Sequence, residues 1–166
     1  MKPGQISPSS GFTLTELIVT LLVIAILAVV AIPKLTSMSA IQERSEYDKV
    51  LSAIQYARKS AVAQRRYACV SVSATVVSLT VDPNPPEATA TPFGGVCPFA
   101  TALALPSWDS SVATCASNQT CVQKTSISST SNVFQFDPRG RTSAQVVVTV
   151  TGFPAITVEG ETGYVH

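Results

Sequence analysis

The chain has 166 residues, 46% of them hydrophobic and 13% charged, with 11 basic residues against 10 acidic ones and a formal net charge of +1. That leaves room for one ordinary domain beside a membrane segment and not for two. Near-neutrality excludes a global field that would draw nucleic acid or an anionic surface. The charge is nevertheless divided along the chain. Between Lys34 and Arg66 seven basic residues stand against three acidic ones, a net of +4; from Tyr67 to His166 three stand against six, a net of −3. Halves of opposite sign can attract one another between neighbouring subunits, although a solvated helix face is the plainer account of the basic run.

The first predicted element is an apolar helix. Phe12 to Ile32 is a run of 21 residues whose polar members are Thr13, Thr15, Glu16 and Thr20. As a helix it spans about 30 Å, the depth of a hydrocarbon core. A cleaved secretory signal, with small residues near Val29 and Ala31, would be unusual with an acid in its apolar region. A plain membrane anchor would bear Glu16 as a penalty of about 2.5 to 3.5 kcal/mol at its centre and less near an end. A buried helix of a soluble domain would need more protein around it than this chain supplies.

The order Gly11, Phe12, Thr13-Leu14-Thr15-Glu16-Leu17, then a long apolar run, resembles the class III signal of type IV pilins and of the pseudopilins of type II secretion. The resemblance is specific over residues 11–34. It implies that residues 1–11 are a leader cut by prepilin peptidase after Gly11, and that the new amino terminus, Phe12, is N-methylated. The apolar helix then survives in the mature protein, first in the bacterial inner membrane with the head in the periplasm, later in a filament reached through an inner-membrane assembly platform. Two positions depart from the pattern: Lys2 is the one basic residue of the leader, and Thr15 stands where an aliphatic side chain is commoner. Among helices bundled away from water a carboxylate is stabilised by a buried cation. The resemblance supplies one, the Phe12 amine of a neighbouring subunit, and the pair with Glu16 would set the axial register of assembly.

Pro33 closes the filament-core segment, residues 12–33. It lacks the amide hydrogen that would bond the Val29 carbonyl, so a kink is expected there. Residues 34–66 continue as an amphipathic helix: Leu35, Met38, Ile41, Tyr47, Val50, Leu51, Ile54, Ala57 and Ala61 recur at threes and fours. Glu43, Arg44, Glu46, Lys49, Arg58 and Lys59 take the polar face. One helix is predicted from Phe12 to about Arg66. The stretch RKSAVAQRR is basic enough to meet phosphates, but its alanines look like a packed face and its aromatic neighbours are limited to Tyr56 and Tyr67.

From Tyr67 the period becomes two. YACVSVSATVVSLTV reads as a hairpin turning near Ala74. Residues 82–131 are irregular, rich in proline, and hold Cys97, Cys115 and Cys121. An irregular stretch of that length is rare in a compact domain unless it is restrained. The even cysteine count, with no Cys-x-x-Cys pair and a single histidine at position 166, points to two disulfides rather than to zinc. Three connectivities are open; the short spacing of Cys115 and Cys121 suggests a local loop, leaving Cys69 with Cys97. Trp108 and Phe99 are expected to anchor the segment on the head.

Strand patterning returns in NVFQFD, a PRGR turn, AQVVVTVTG and AITVEGETGYV. The head, residues 67–166, should carry five or six mostly antiparallel strands on the carboxy-terminal half of the helix, an α+β fold of the type IV pilin kind. FDPRGRTS resembles a turn of FimT/GspH-like minor pilins, and the ending looks most like minor pilins of MSHA-type pili. Some FimT-like pilins take up DNA through an arginine-bearing tail; here the tail EGETGYVH has two acids and no arginine. Arg139 and Arg141 are the remaining candidates for DNA contact, more simply read as solvated or paired with Asp137. Asp82, Asp109, Asp137, Glu159 and Glu161 read as solvent-facing single acids, His166 as a mobile end. No catalytic set, cofactor motif or metal motif is present, and the resemblance implies a filament subunit, a minor pilin or pseudopilin. Its partners would be other pilin subunits, prepilin peptidase and the assembly platform. The alternative is a binding module at the filament tip, for DNA uptake or surface adhesion.

Overall fold

The computed structural model describes residues 12–36, 38–84, 97, 101–106 and 115–166, which fall in two compact units, Met1–Ser39 and Ala40–His166. In the first unit α1 runs Leu14–Thr36. Its start is chemically marked: Thr13 precedes the first helical residue, and its Oγ1 accepts the Glu16 amide at 3.3 Å, meeting one of the orphan donors of a helix amino terminus. Every described side chain from Phe12 to Ala28 is exposed. Among the described residues no helix is long and apolar enough to cross a membrane.

Helix α2 runs Met38–Gln64. The single helix expected from Phe12 to about Arg66 is helical over 14–36 and 38–64; position 37 lies outside the described residues. Pro33 falls within α1. In the second unit α2 buries one face: Val50, Ala53, Ile54, Ala57 and Ala61 are fully covered and Tyr47 nearly so. The alanines at 53, 57 and 61 form an i, i+4, i+8 row whose small side chains let a sheet approach, while Val50 and Ile54 each contribute about 1.5 to 3 kcal/mol by burial. Ile41, expected on that face, is exposed, and Leu51 is partly covered. The helix ends where Arg65 takes a left-handed conformation, φ 50°, and the Arg66 amide bonds the Ala61 carbonyl.

Among the described residues eight strands follow, in two antiparallel sheets. The first comprises β1 (Ala68–Val72), β2 (Val76–Val81), β3 (Thr101–Ala102), β4 (Gln119–Cys121) and β6 (Val133–Phe136), in the order β3-β2-β1-β6 with β4 also paired to β2. The second is β5 (Ile127–Ser129), β7 (Val146–Val150) and β8 (Ile156–Val158), in the order β5-β7-β8. The predicted hairpin is present, with Ala68 opposite Val81 and Val72 opposite Val77. Alternation does the sorting: Val77, Leu79 and Val81 of β2, Val146, Val148 and Val150 of β7, and Ile156 and Val158 of β8 face the same core as α2.

The strand count exceeds the expected five or six because β3, β4 and β5 lie inside the stretch read as irregular. They are two or three residues long, too short for an alternating pattern to register, and exist only by pairing with longer strands. Two disulfides, Cys69–Cys97 and Cys115–Cys121, hold this stretch to the sheet. Cys69 lies opposite Gln135 in the register, so Cys97 covers the outer face there, and Phe134, Gln135 and Phe136 are all buried. Trp108, Phe99 and Asp109 lie outside the described residues.

Candidate functional site

The predicted assembly residues sit at the start of α1. Phe12 is 80% exposed, and Glu16 stands one helical turn further along on an equally exposed surface. Among the described residues the Glu16 carboxylate has no hydrogen bond or ion pair; the Thr20 hydroxyl turns back to the Leu17 carbonyl. The Thr13-x-x-Glu16 spacing is a capping signature that was readable in the sequence and says why the helix begins here. An acid in the first turn also complements the positive end of the helix dipole. Gly11 and the leader lie outside the described residues. Eleven large apolar side chains between Phe12 and Leu27 are 47% or more exposed, a surface that water does not tolerate in a free protein and that asks to be covered.

The second glutamate is a different kind of site. Glu46 was expected on the polar face of α2; instead it is buried, and its carboxylate is the anchor of the loop that follows β4. Oε1 accepts the amides of Gln123 at 2.9 Å and Lys124 at 3.1 Å; Oε2 accepts Lys124 at 3.1 Å, the Thr125 amide at 3.0 Å and the Thr125 hydroxyl at 2.9 Å. Burial on its own would raise the pKa, but these hydrogen bonds to the ionised form outweigh it, and the carboxyl is held below the usual glutamate range. On either side of that loop Val122 and Ile127 bond the Thr75 and Ala74 carbonyls, which ties it to the tip of the β1–β2 hairpin as well.

The late turn holds the other sequence candidates. Asp137 is buried rather than solvent-facing: Oδ1 accepts the amides of Arg139 and Arg141 at 2.9 and 2.8 Å, and Oδ2 takes the Arg141 guanidinium at 3.0 and 2.8 Å. Arg141 is therefore held by Asp137, while the Arg139 side chain is exposed. Gly140, at φ 80°, permits the turn and leaves its carbonyl to Arg58 of α2, whose guanidinium reaches Gly140 O at 3.3 Å and Thr162 O at 3.0 Å. Gly163, at φ 60°, lies so close that a Cβ there would collide with the Gly140 carbonyl. Asp82, also expected at the surface, is buried with its Oδ1 on the Asn84 amide. Glu159 is half-buried and Glu161 exposed. His166 is no mobile end: it exchanges two backbone hydrogen bonds with Thr157, and its ring stacks on Tyr164 at 5.2 Å. Among the described residues no three His, Cys, Asp or Glu side chains gather as a metal site.

Residues 6–32, a stretch that includes Gly11, Phe12 and Glu16, match the prokaryotic N-terminal methylation motif. Among solved structures the chain is similar to the type IV minor pilin FimU of Pseudomonas aeruginosa strain PAO1, with a TM-score of 0.51 and 13% identity over 74% of this chain and 90% of that one. A second crystal form of FimU gives 0.49 and 12%, over 79% and 90%. No curated protein sequence matches the chain. The likeness to FimU is one of fold: a helix packed on antiparallel sheets. The methylation motif thus precedes a head whose α+β fold is like that of FimU, and the two described disulfides sit within that head.

Proposed function

We propose that this chain is a structural subunit of a type IV pilus-like filament, a minor pilin of MSHA type or a type II secretion pseudopilin, without catalytic activity. Prepilin peptidase cleaves it after Gly11 and methylates Phe12. Until assembly, residues 12–33 sit in the inner membrane with the head in the periplasm; the assembly platform then moves the subunit into a filament among other pilins, and Pro33 kinks the helix. The observation that carries this reading is the methylation motif at the head of an apolar helix whose described side chains are all exposed. In the filament the Glu16 carboxylate meets the Phe12 amine of the next subunit, a pairing that uniform aliphatic packing would not specify.

Mass spectrometry of the native chain tests it directly. The amino terminus should be methyl-Phe12, and sheared filaments should contain the chain; a terminus at Met1, or beyond Ala31, overturns the reading. The tip-binding alternative draws on a basic concavity lined by Arg58, Lys59 and Arg139. The commitment of Arg141 to Asp137 weakens the DNA form of that alternative, because one of its two arginines already has a carboxylate.

A further inference from the structure

The head carries two adjoining concavities of opposite sign. One is lined by Arg58, Lys59, Val62, Ala63 and Arg139, with cations on its walls, an apolar floor and no acid. The other is lined by residues 142–145 and 159–162, with Glu159 and Glu161 and no cation. They meet at Arg58, which lines the first and bonds the Thr162 carbonyl of the second. Arg58 is already committed to two carbonyls, so Lys59 and Arg139 are the cations that the groove presents outward. The ion pairs found among the described residues are Arg44–Asp48 and Arg141–Asp137, so none of Lys59, Arg139, Glu159 and Glu161 is in an ion pair among the described residues. Among the described residues the Glu159 carboxylate takes a single side-chain hydrogen bond, from the Gln145 amide at 3.3 Å.

We infer that this face docks a second copy of the chain, the acidic concavity around Glu161 of one head seating on the Lys59–Arg139 groove of the next. The inference rests on the filament-subunit reading, since a filament is what brings heads side by side. Charge complementarity decides the occupant. A polyanion would profit from Lys59 and Arg139 but would meet Glu159 and Glu161 immediately beside them, and like charges brought together are strongly penalised. A second copy presents both signs, and its acids lie where the groove wants them. Val62, 46% exposed on the floor, offers the apolar contact that a purely electrostatic ligand would leave wet.

The test uses the full-length chain in detergent, carrying either of two affinity tags, with capture of one tagged copy by the other as the readout. Lys59→Glu/Arg139→Glu and, separately, Glu161→Lys should each reduce self-capture by about tenfold or more at low salt, with unchanged melting temperatures because all three side chains are exposed. Mixing the two variants should restore capture, since the reversed groove then meets a reversed partner, and added salt should weaken wild-type capture. Self-capture by the variants equal to wild type, or no wild-type self-capture, overturns the inference. So does a salt-sensitive mobility shift of duplex DNA that is lost in Lys59→Glu/Arg139→Glu while self-capture is unchanged. Glu16→Ala should retain self-capture; processing at Gly11 and filament entry are read separately, so failure of docking and failure of the filament reading give different results.

Discussion

α1 and α2 are helices of similar length, 23 and 27 residues, and each carries one glutamate that matters, yet the two helices solve opposite problems. Along α2 the apolar residues keep to one face, which the two sheets cover, and Glu46 is met by four hydrogen-bond donors from the same chain. Along α1 the apolar residues go all round, the described ones are exposed, and the Glu16 carboxylate finds no partner among the described residues. A helix that is apolar on every side cannot be satisfied by one sheet; it requires lipid or other helices. The difference separates a glutamate satisfied within the chain, Glu46, from one that the proposed function assigns to association, Glu16.

The largest expected effect tests that division. Glu16→Ala should abolish recovery of the chain in sheared filaments while leaving cleavage after Gly11, membrane insertion and the melting temperature of the head unchanged; normal filament entry would sink the role given to Glu16. In the two helix bodies Ile54→Ala, at a fully buried position, should lower the unfolding free energy of the head by about 2 to 5 kcal/mol. Leu21→Ala, on the exposed surface of α1, should change it by less than about 0.5 kcal/mol.

Glu46→Ala leaves the Gln123, Lys124 and Thr125 amides without their acceptor and should cost about 2 to 3 kcal/mol in denaturant unfolding, with local loss of amide protection at 123–125. The same group sets a pH dependence. Its folded pKa lies below the ordinary 4.5, so the stability it supplies is complete above that value and is lost as pH falls through the folded pKa. Urea midpoints of the wild type should therefore drop below about pH 4.5 more steeply than those of Glu46→Gln. A smaller effect than that of Glu46 is expected at the other end of α2: Arg58→Ala gives up two carbonyl contacts and should cost about 1 kcal/mol, seen as faster exchange of the Gly163 amide. An equal loss on removing Glu16 and Glu46 would erase the contrast between the helices.

Much of the fold was legible because periodicity reports which face is covered. The shift from threes and fours to alternation after Tyr67 marks the passage from helix to sheet, and the β1–β2 hairpin, β6, β7 and β8 follow from it. The close spacing of Cys115 and Cys121 likewise anticipated their bond. The division into two sheets was not legible, because β3, β4 and β5 have no pattern of their own and are strands only by virtue of their neighbours. The placement of acids was also hidden. Glu46, Asp82 and Asp137 look like any surface carboxylates in a string of letters; their burial depends on amides supplied by turns, 77 to 79 residues away in the case of Glu46.

Sequence alone determined the start of α1, the acid in its first turn, the apolar run behind it and the alternating strands of the head, since each is a local pattern read over a few residues. Tertiary structure decided which carboxylates are satisfied within the chain and which cations remain for a partner. Hydrogen-bond geometry and burial join residues far apart in the chain, and no local pattern records where they meet.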